Sequence, residues 1–260
     1  NAGEITGGTN GIYASGTNHI VNTGDIHGNQ TGLFFLGGIG EGVNLVVNRG
    51  TISGESYAID AGTEYDKIVN FGKILGDVDL GARDDTFVFK AGKVVGTVSG
   101  EEGDDIYIVK KAGLAISEEF GEGVDVIRSS VTIEMPANIE ELYLTGKNDI
   151  NATGSSGGNR IYGNAGANRI DGGGGFDFIS GGKGKDVLTG GASSDTFHFI
   201  QGSGKDVVTD FTVGFDEIDL SDLSGATSFA DMLENHVQEK GDDLWISYGK
   251  DIVVLKNIVI

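Results

Sequence analysis

Asparagine and aspartate recur every nine residues between positions 154 and 198. This stretch divides into five nine-residue units without a gap, and their sixth residues are Asn159, Asn168, Asp177, Asp186 and Asp195. Glycine fills most of the first, second and fourth positions, where its access to positive φ lets the backbone turn carbonyl oxygens inward. Carbonyl and carboxylate oxygens are the ligands of Ca²⁺, which takes about 6–8 of them. The spacing therefore favours calcium binding.

Short strands must position these oxygens. The eighth residue of every unit is apolar, in the order Ile161, Ile170, Ile179, Leu188 and Phe197. One inward apolar residue among positions seven to nine predicts a very short strand after each glycine turn. Two units then make one full coil. A flexible glycine-rich linker has no reason to keep an apolar residue in this register.

Residues 18 apart become neighbours on one edge of such a coil. One edge carries Asn159, Asp177 and Asp195, and the other carries Asn168, Asp186 and then Asp206. A cation between loops 172–177 and 190–195 would meet two carboxylates. A cation between loops 163–168 and 181–186 would meet one carboxylate and one amide, so we expect that site to be weaker.

The repeat resembles G-G-x-G-x-D-x-U-x, the nonapeptide of RTX calcium-binding proteins. The resemblance implies that the carbonyls of positions two and four and the side chain of position six bind several Ca²⁺ ions. These residues are Gly173, Gly175, Asp177, Gly182, Gly184, Asp186, Gly191, Ser193 and Asp195. Ser193 departs from the repeat but keeps its carbonyl. Residues 205–220 resemble the segment that follows the roll in type I secreted proteins, which makes Asp206 and Asp216 candidates for closing the last site.

A different repeat occupies the N-terminal third. The pattern N-x-G-x-I-x-G begins at Asn1, Asn22, Asn48 and Asn70, with spacings of 21, 26 and 22 residues. Coils of this length predict a right-handed parallel β-helix, in which the four asparagines form a hydrogen-bonded ladder. Turn residues that tolerate left-handed geometry are the alternative for these asparagines. The pattern resembles β-helical regions of bacterial adhesins and autotransporter passengers.

Between the two repeats, Asp85, Asp105 and Asp125 recur with a period of 20 residues. Because 20 residues make one coil, we expect these aspartates to stack along one edge. Two interpretations remain open for them, further Ca²⁺ binding or solvation at turns.

After the roll the periodicity changes. Phe229, Leu233 and Val237 at helical spacing, after Ser228 as helix cap, predict one short helix. Segments 244–248 and 252–255 predict a β-hairpin, with Trp245 as a core anchor. Together they would cap the strand edges at the open end of the solenoid.

The predicted fold class is all-β, a right-handed parallel β-solenoid in which a β-helix continues into a calcium β-roll with a small C-terminal cap. The predicted segments are 1–80 (β-helix), 81–150 (bridging coils), 151–200 (calcium roll) and 201–260 (cap and secretion-associated segment).

Composition narrows the function classes. The 260 residues include 46 Gly and no Cys and carry a formal charge of −21. The excess negative charges repel one another when the chain is compact. The sequence also has no basic patch that could bind nucleic acid. The sequence has no run that predicts a membrane span. Because the chain begins in mid-pattern, we expect it to be part of a longer protein.

Catalytic motifs are weak. The four histidines are scattered, and the sequence has no H-E-x-x-H, no G-x-S-x-G and no cysteine nucleophile. We therefore expect a protein that is not an enzyme, a calcium-binding module of a larger secreted bacterial protein. The resemblance implies export by a type I secretion apparatus and folding on Ca²⁺ outside the cell.

Two alternatives involve glycans. An adhesin or biofilm-matrix module that contacts a glycan or a cell surface would present an exposed aromatic row, with Tyr13, Phe34 or Phe35, and Tyr57 as candidates. Part of a polysaccharide lyase or alginate epimerase would require an acid–base cluster on one face of the helix.

Overall fold

A computed structural model describes residues 1–37, 42–223 and 229–259. These residues form two compact units, unit 1 (1–128 and 136–139) and unit 2 (129–135 and 140–260). Each unit is built of short β-strands in parallel β-solenoid coils, which confirms the predicted fold class. The predicted helix cap, Ser228, lies outside the described residues.

Fourteen strands lie entirely in unit 1. A fifteenth strand starts in unit 1 and ends at Ser129, the first residue of unit 2. They are β1 (Glu4–Gly7), β2 (Asn10–Ser15), β3 (His19–Asn22), β4 (Asp25–Gly28), β5 (Thr31–Leu36), β6 (Val43–Asn48), β7 (Thr51–Asp60), β8 (Tyr65–Asn70), β9 (Lys73–Asp79), β10 (Thr86–Phe89), β11 (Lys93–Val95), β12 (Thr97–Ser99), β13 (Ile106–Val109), β14 (Ala115–Ser117) and β15 (Val126–Ser129).

Parallel pairing between coils aligns equivalent residues of unit 1. Strands β3, β6, β8, β10 and β13 pair in that order on one face, and β1, β4, β7, β9, β12 and β14 pair on another. Ile26, Ile52 and Ile74 therefore stack in register and are fully buried. Burying each such side chain contributes about 1.5–3 kcal/mol, which is why the isoleucine of the repeat holds its position.

The asparagine ladder of unit 1 is confirmed. The Asn22 Nδ2 donates to Asn48 Oδ1 and the Asn48 Nδ2 donates to Asn70 Oδ1, both at 2.9 Å. These three side chains are fully buried, while Asn1 joins at the exposed end with a 3.2 Å bond to Asn22. Each amide also closes its own turn, since Asn48 Oδ1 accepts from the Gly50 N–H at 3.2 Å.

Unit 2 contains thirteen strands and one helix. They are β16 (Ile133–Glu134), β17 (Glu141–Leu144), β18 (Ala152–Thr153), β19 (Arg160–Tyr162), β20 (Arg169–Gly174), β21 (Phe178–Ser180), β22 (Val187–Ala192), β23 (Thr196–Ile200), β24 (Lys205–Val208), β25 (Glu217–Asp222), α1 (Phe229–Asn235), β26 (Val237–Lys240), β27 (Asp243–Tyr248) and β28 (Asp251–Leu255).

The nine-residue register organises the core of unit 2. Strands β17, β19, β21, β23 and β25 pair in parallel on one face, while β16, β18, β20, β22 and β24 pair on the other. Ile161, Ile179 and Phe197 are aligned and fully buried on the first face. Ile170 and Leu188 are aligned in the same way on the second. Each nonapeptide is thus half a coil, as predicted.

The C-terminal cap has more strand than the sequence predicted. The expected hairpin is β27 and β28, and β26 adds a third antiparallel strand. Val237 therefore begins a strand, whereas the sequence placed it on the helix. The helix α1 has seven residues, and nowhere in the described ranges is there a helix with the length and hydrophobicity of a membrane span.

Trp245 differs from its predicted role as a core anchor. Its ring lies between two ammonium groups, with Lys205 Nζ 4.1 Å and Lys240 Nζ 3.9 Å from the ring centroid, and the residue is only partly buried. Strand β28, in turn, pairs in parallel with β24 and so joins the cap to the coils of unit 2.

Candidate calcium-binding loops

The glycine turns of unit 2 share one backbone conformation. Positions two and four have positive φ in three successive units: Gly173 (94°), Gly175 (97°), Gly182 (82°), Gly184 (145°), Gly191 (101°) and Ser193 (92°). A non-glycine residue in such a conformation costs on the order of 1–3 kcal/mol. Ser193 adopts it nevertheless, so stacking against neighbouring coils imposes the loop shape even where glycine is missing.

The sixth-position side chains stack along two edges. On the first edge, Asp177 Oδ1 accepts from the Asn159 N–H at 2.8 Å and Asp195 Oδ1 accepts from the Asp177 N–H at 3.0 Å. On the second edge, Asp186 Oδ1 accepts from the Asn168 N–H at 2.8 Å. Asp206 continues that edge by accepting from the Asp186 N–H at 2.9 Å. The structure thus brings the predicted residues together in the two predicted rows.

The second carboxylate oxygen of three of these aspartates is buried and unsatisfied. Within the described part of the chain, the Oδ2 atoms of Asp177, Asp186 and Asp206 have no hydrogen-bond partner. A buried acceptor without a partner costs about 1–3 kcal/mol, and more when it is charged. A cation between the loops would satisfy these oxygens, so the donor set fits Ca²⁺.

Glycine at position one keeps the space beside these oxygens open. A Cβ added at Gly172 would overlap Asp177 Oδ2, and one added at Gly181 or Gly190 would overlap the Oδ2 of the aspartate five residues later. None of the three has positive φ, so the sequence keeps glycine here for close approach.

Burial alters the protonation of the loops. Desolvation raises the pKa of Asp177 and of Asp186 to about 7, against the opposing effect of the backbone hydrogen bond that each accepts. Desolvation likewise raises the pKa of Asp206 to about 6. A bound divalent cation would favour the charged carboxylates instead.

Asn159, Asn168 and Asp216 also accept hydrogen bonds within their own loops. Asn159 Oδ1 accepts from the Ser155 N–H at 2.7 Å, and Asn168 Oδ1 accepts from the Asn164 N–H at 2.9 Å. Asp216 uses both oxygens, accepting from the N–H groups of Asp195 at 2.9 Å and Thr212 at 2.7 Å. These side chains close turns at the two ends of the rows.

Two further aspartates order the last loops of unit 2. Asp210 accepts from the N–H groups of Gly190 and Gly191 at 2.9 and 2.8 Å. Asp251 accepts from the N–H groups of Gly202 and Gly204 at 2.7 and 3.0 Å. Sequence reasoning missed both because neither occupies a repeat position.

The predicted aromatic row of unit 1 is shorter than expected. The Tyr13 ring stacks on Phe34 with centroids 5.4 Å apart, and Tyr13 is 58% exposed. Phe35 is buried, and Tyr57 aligns with Thr31 while Asp60 aligns with Phe34. The irregular register of β7 therefore moves Tyr57 out of the row.

Comparison with known proteins identifies the nonapeptide loops. The family model of the RTX calcium-binding nonapeptide repeat (4 copies) matches residues 151–179 and 171–199. These loops of unit 2 are therefore RTX repeats.

Two curated relatives come from Rhizobium meliloti (strain 1021). Endo-1,3-1,4-beta-glycanase EglC is 45% identical over 151 residues, which is 58% of this chain and 30% of that protein. Endo-1,3-1,4-beta-glycanase ExsH is 43% identical over 158 residues, which is 60% of this chain and 31% of that protein. The chain thus matches less than a third of the length of either relative.

Among solved structures, the crystal structure of extracellular lipase LipA from Serratia marcescens matches this chain. Its TM-score is 0.36 at 15% identity, covering 84% of this chain and 43% of that protein.

The relatives correct one sequence-based prediction. The expectation that the protein is not an enzyme is wrong, because relatives 43–45% identical are named as glycanases. The absence of serine, cysteine and histidine motifs does not exclude an enzyme. Glycoside hydrolysis usually employs two carboxylates set by spatial separation, and such a pair leaves no local motif in an acidic sequence.

Proposed function

We propose that this chain is the calcium-binding part of a secreted protein that cleaves β-linked glycans. The RTX repeats at 151–199 support the calcium-binding part of the proposal. The relatives named as endo-1,3-1,4-beta-glycanases, which match 58–60% of the chain, support the glycan-cleaving part.

The single observation that carries the calcium role is the set of unsatisfied carboxylate oxygens along the two edges of unit 2. Asp177 Oδ2 and Asp186 Oδ2 are buried without partners in the described structure. The chain as a whole carries a charge of −21, so it has few cationic side chains to neutralise them. Ca²⁺ supplies the missing positive charge, so binding and folding are coupled. Each ion at ~100 times its dissociation constant adds about 2.7 kcal/mol of stability.

Coupled folding suits export followed by assembly outside the cell. In a cytosol poor in free Ca²⁺, repulsion among the acids and the entropy of 46 glycines disfavour the roll. The unfolded protein would pass through a type I secretion apparatus as an extended chain. Extracellular modules bind Ca²⁺ with dissociation constants of about 10⁻⁴–10⁻³ M, so the roll would fold after export.

Circular dichroism during a Ca²⁺ titration tests the calcium role. We expect strand signal to appear with Ca²⁺ and to require more Ca²⁺ in Asp177→Asn. Asp242→Asn is the matched control, because it removes the same charge at an exposed turn of the cap. Equal titrations of the two variants would contradict the proposal.

Hydrolysis of mixed-linkage 1,3-1,4-β-glucan tests the glycan role. We expect the longer protein that contains this chain to release reducing ends from this polymer. Activity should fall in chelator and in the double variant Asp177→Asn/Asp195→Asn. A protein that leaves the polymer intact at saturating Ca²⁺ would refute the glycan role.

Glycan binding is a second candidate function, favoured by a row of rings on unit 2. The rings of Tyr143 and Tyr162 stack with centroids 4.7 Å apart, Tyr162 and Phe178 follow at 5.7 Å, and Phe178 and His198 at 5.3 Å. Tyr143 and Phe178 are partly exposed, and such rings offer apolar faces to a sugar. Tyr143→Ala should weaken binding to β-glucan in affinity electrophoresis, while Phe120→Ala, a change at a 92% exposed ring of unit 1, should not.

A further inference from the structure

Three carboxylates meet inside unit 1, outside the residues that match RTX repeats. Asp105, Glu118 and Asp125 are 0%, 6% and 1% exposed, and each offers an oxygen within 4.8 Å of the other two. Three negative charges at this depth repel one another and lose their hydration. A bound cation or protons must therefore neutralise them in the folded protein.

Two of these side chains also leave an oxygen without a partner. Within the described residues, Asp105 Oδ2 and Glu118 Oε2 are buried and accept no hydrogen bond. The other oxygens are engaged, since Asp105 Oδ1 accepts from the Asp85 N–H at 2.7 Å and Glu118 Oε1 accepts from the Tyr107 hydroxyl. The unsatisfied oxygens thus belong to residues that the fold holds firmly in place.

The two carboxylate oxygens of an aspartate have the same separate roles in the calcium loops of unit 2. There, Oδ1 of Asp177 accepts the N–H of the preceding coil and Oδ2 is left unsatisfied. In unit 1, Asp105 repeats this arrangement, and its own N–H donates to Asp125 Oδ1 at 2.9 Å. Asp105 is therefore presented in the same way as an aspartate of the RTX repeats.

The backbone of loop 100–105 also follows the calcium loops. Glu101 and Gly103 have φ values of 66° and 141° at the positions equivalent to Gly182 and Gly184. Gly100 stands five residues before Asp105, and a Cβ there would overlap Asp105 Oδ2 and Glu118 Oε1. Glycine thus keeps a space open between the two carboxylates.

We propose that Asp105, Glu118 and Asp125 bind one divalent cation, Ca²⁺, inside unit 1. The ligands are all oxygens, the donor type that Ca²⁺ prefers, with three carboxylates to balance its charge. Glu118, which follows β14, supplies a ligand that the nine-residue repeat lacks. This site is separate from the loops of unit 2 and extends the calcium dependence to unit 1.

Counting bound ions in two neighbouring variants tests the site. The whole chain is equilibrated with Ca²⁺ by dialysis, and the metal is measured per chain. We expect Glu118→Gln to hold one ion fewer than the unaltered chain, or to bind that ion at least tenfold more weakly. Glu119→Gln makes the same change at the exposed adjacent residue and should keep the full count.

Terbium luminescence provides a second readout. Tb³⁺ in this site would be excited through Tyr107, whose hydroxyl contacts Glu118. Tyr107→Phe should lower tyrosine-excited Tb³⁺ emission without changing the number of ions bound. This measurement tests the site even if Glu118→Gln does not fold.

The outcomes separate this site from the calcium role of unit 2. Equal ion counts in Glu118→Gln and Glu119→Gln, or undiminished emission in Tyr107→Phe, would overturn the proposal and leave protons to neutralise the cluster. Asp177→Asn should remove an ion from unit 2 while the Tyr107-dependent emission persists. A normal ion count in Asp177→Asn would count against the unit 2 role alone.

Discussion

The open space beside the aspartates of unit 2 depends on the absence of one atom, a Cβ at the first position of three nonapeptides. Gly172 leaves space beside Asp177 Oδ2, and Gly181 and Gly190 do the same for Asp186 and Asp195. The Oδ1 oxygen of each aspartate holds the neighbouring coil, so only Oδ2 can face a cation. Each aspartate therefore stacks the coils through one oxygen and keeps the other for the proposed ion.

Replacing Gly172 with alanine should weaken Ca²⁺ binding. The new Cβ would overlap Asp177 Oδ2, so we expect at least a tenfold rise in the Ca²⁺ concentration needed for folding. Gly174→Ala is the control, since its Cβ would meet no atom closer than 3.5 Å and its φ is not positive. Calorimetric titration measures both variants, and a similar loss in Gly174→Ala would contradict this explanation.

The stability of the metal-free chain should fall as pH rises. Desolvation raises the pKa of Asp177 and Asp186 from 3.8 to about 7, so the folded state holds protons that the unfolded state releases. The stability gained from protonation is then lost between about pH 4 and pH 7. In chelator, the strand signal in circular dichroism should therefore be larger at pH 5 than at pH 8.

Saturating Ca²⁺ should remove most of this pH dependence near neutrality, because the ion replaces the protons. Asp177→Asn should weaken the pH dependence of the metal-free chain, since the amide does not titrate while Asp186 still does. A metal-free chain that is more stable at pH 8 than at pH 5 would show that these carboxyls are not buried.

The element scale shows where sequence patterns were sufficient. The repeat at Asn22, Asn48 and Asn70 predicted their ladder because one residue type recurs once per coil. The apolar eighth positions predicted the core of unit 2 for the same reason. In both cases parallel stacking turns a sequence period directly into a contact.

Contacts outside a period could not be predicted. Glu118 reaches Asp105 and Asp125 from a different part of the coil, and Asp251 reaches Gly204 from 47 residues away. Tyr57 left the aromatic row because β7 has an irregular register. Each depends on local coil geometry, which spacing alone does not encode.

Breaking the ladder at its centre should destabilise unit 1. Asn48→Ala removes bonds to Asn22, Asn70, Lys73 and Gly50 from a fully buried position. We expect the free energy of unfolding to fall by about 3 kcal/mol, from polar groups left unsatisfied. Asn1→Ala, at the exposed end, should cost less than ~1 kcal/mol. Urea denaturation followed by circular dichroism compares the two, and equal losses would argue against a buried ladder.

At the scale of the whole molecule, the excess of negative charge favours folding together with divalent cations. The chain has 39 acidic and 18 basic residues, and buried aspartates lie in both units. Monovalent salt screens charges in solvent with a Debye length of about 10 Å at 0.1 M. It screens buried carboxylates far less, so Ca²⁺ and sodium should differ strongly in their effect on folding.

The single tryptophan should report calcium binding by unit 2. Trp245 contacts Lys205, and the next residue, Asp206, lies on the edge with Asp186. We expect Trp245 emission to change during a Ca²⁺ titration, with a midpoint raised about tenfold, or ~1.4 kcal/mol, in Asp206→Asn. Asp242→Asn should titrate like the unaltered chain. An unchanged midpoint in Asp206→Asn would show that Trp245 emission does not report Ca²⁺ binding at the edge with Asp206.

The outermost strand of the cap, β26, has four residues, of which Gln238, Glu239 and Lys240 are exposed. It follows β27 and β28 at the end of the sheet that includes β24. A short, charged border strand discourages other chains from adding to it. A chain truncated after residue 236 would instead offer the bare backbone of β24 to its neighbours. Light scattering should then reveal Ca²⁺-triggered fibres. In the whole chain, we expect the last two dozen residues to prevent such chain-to-chain strand pairing.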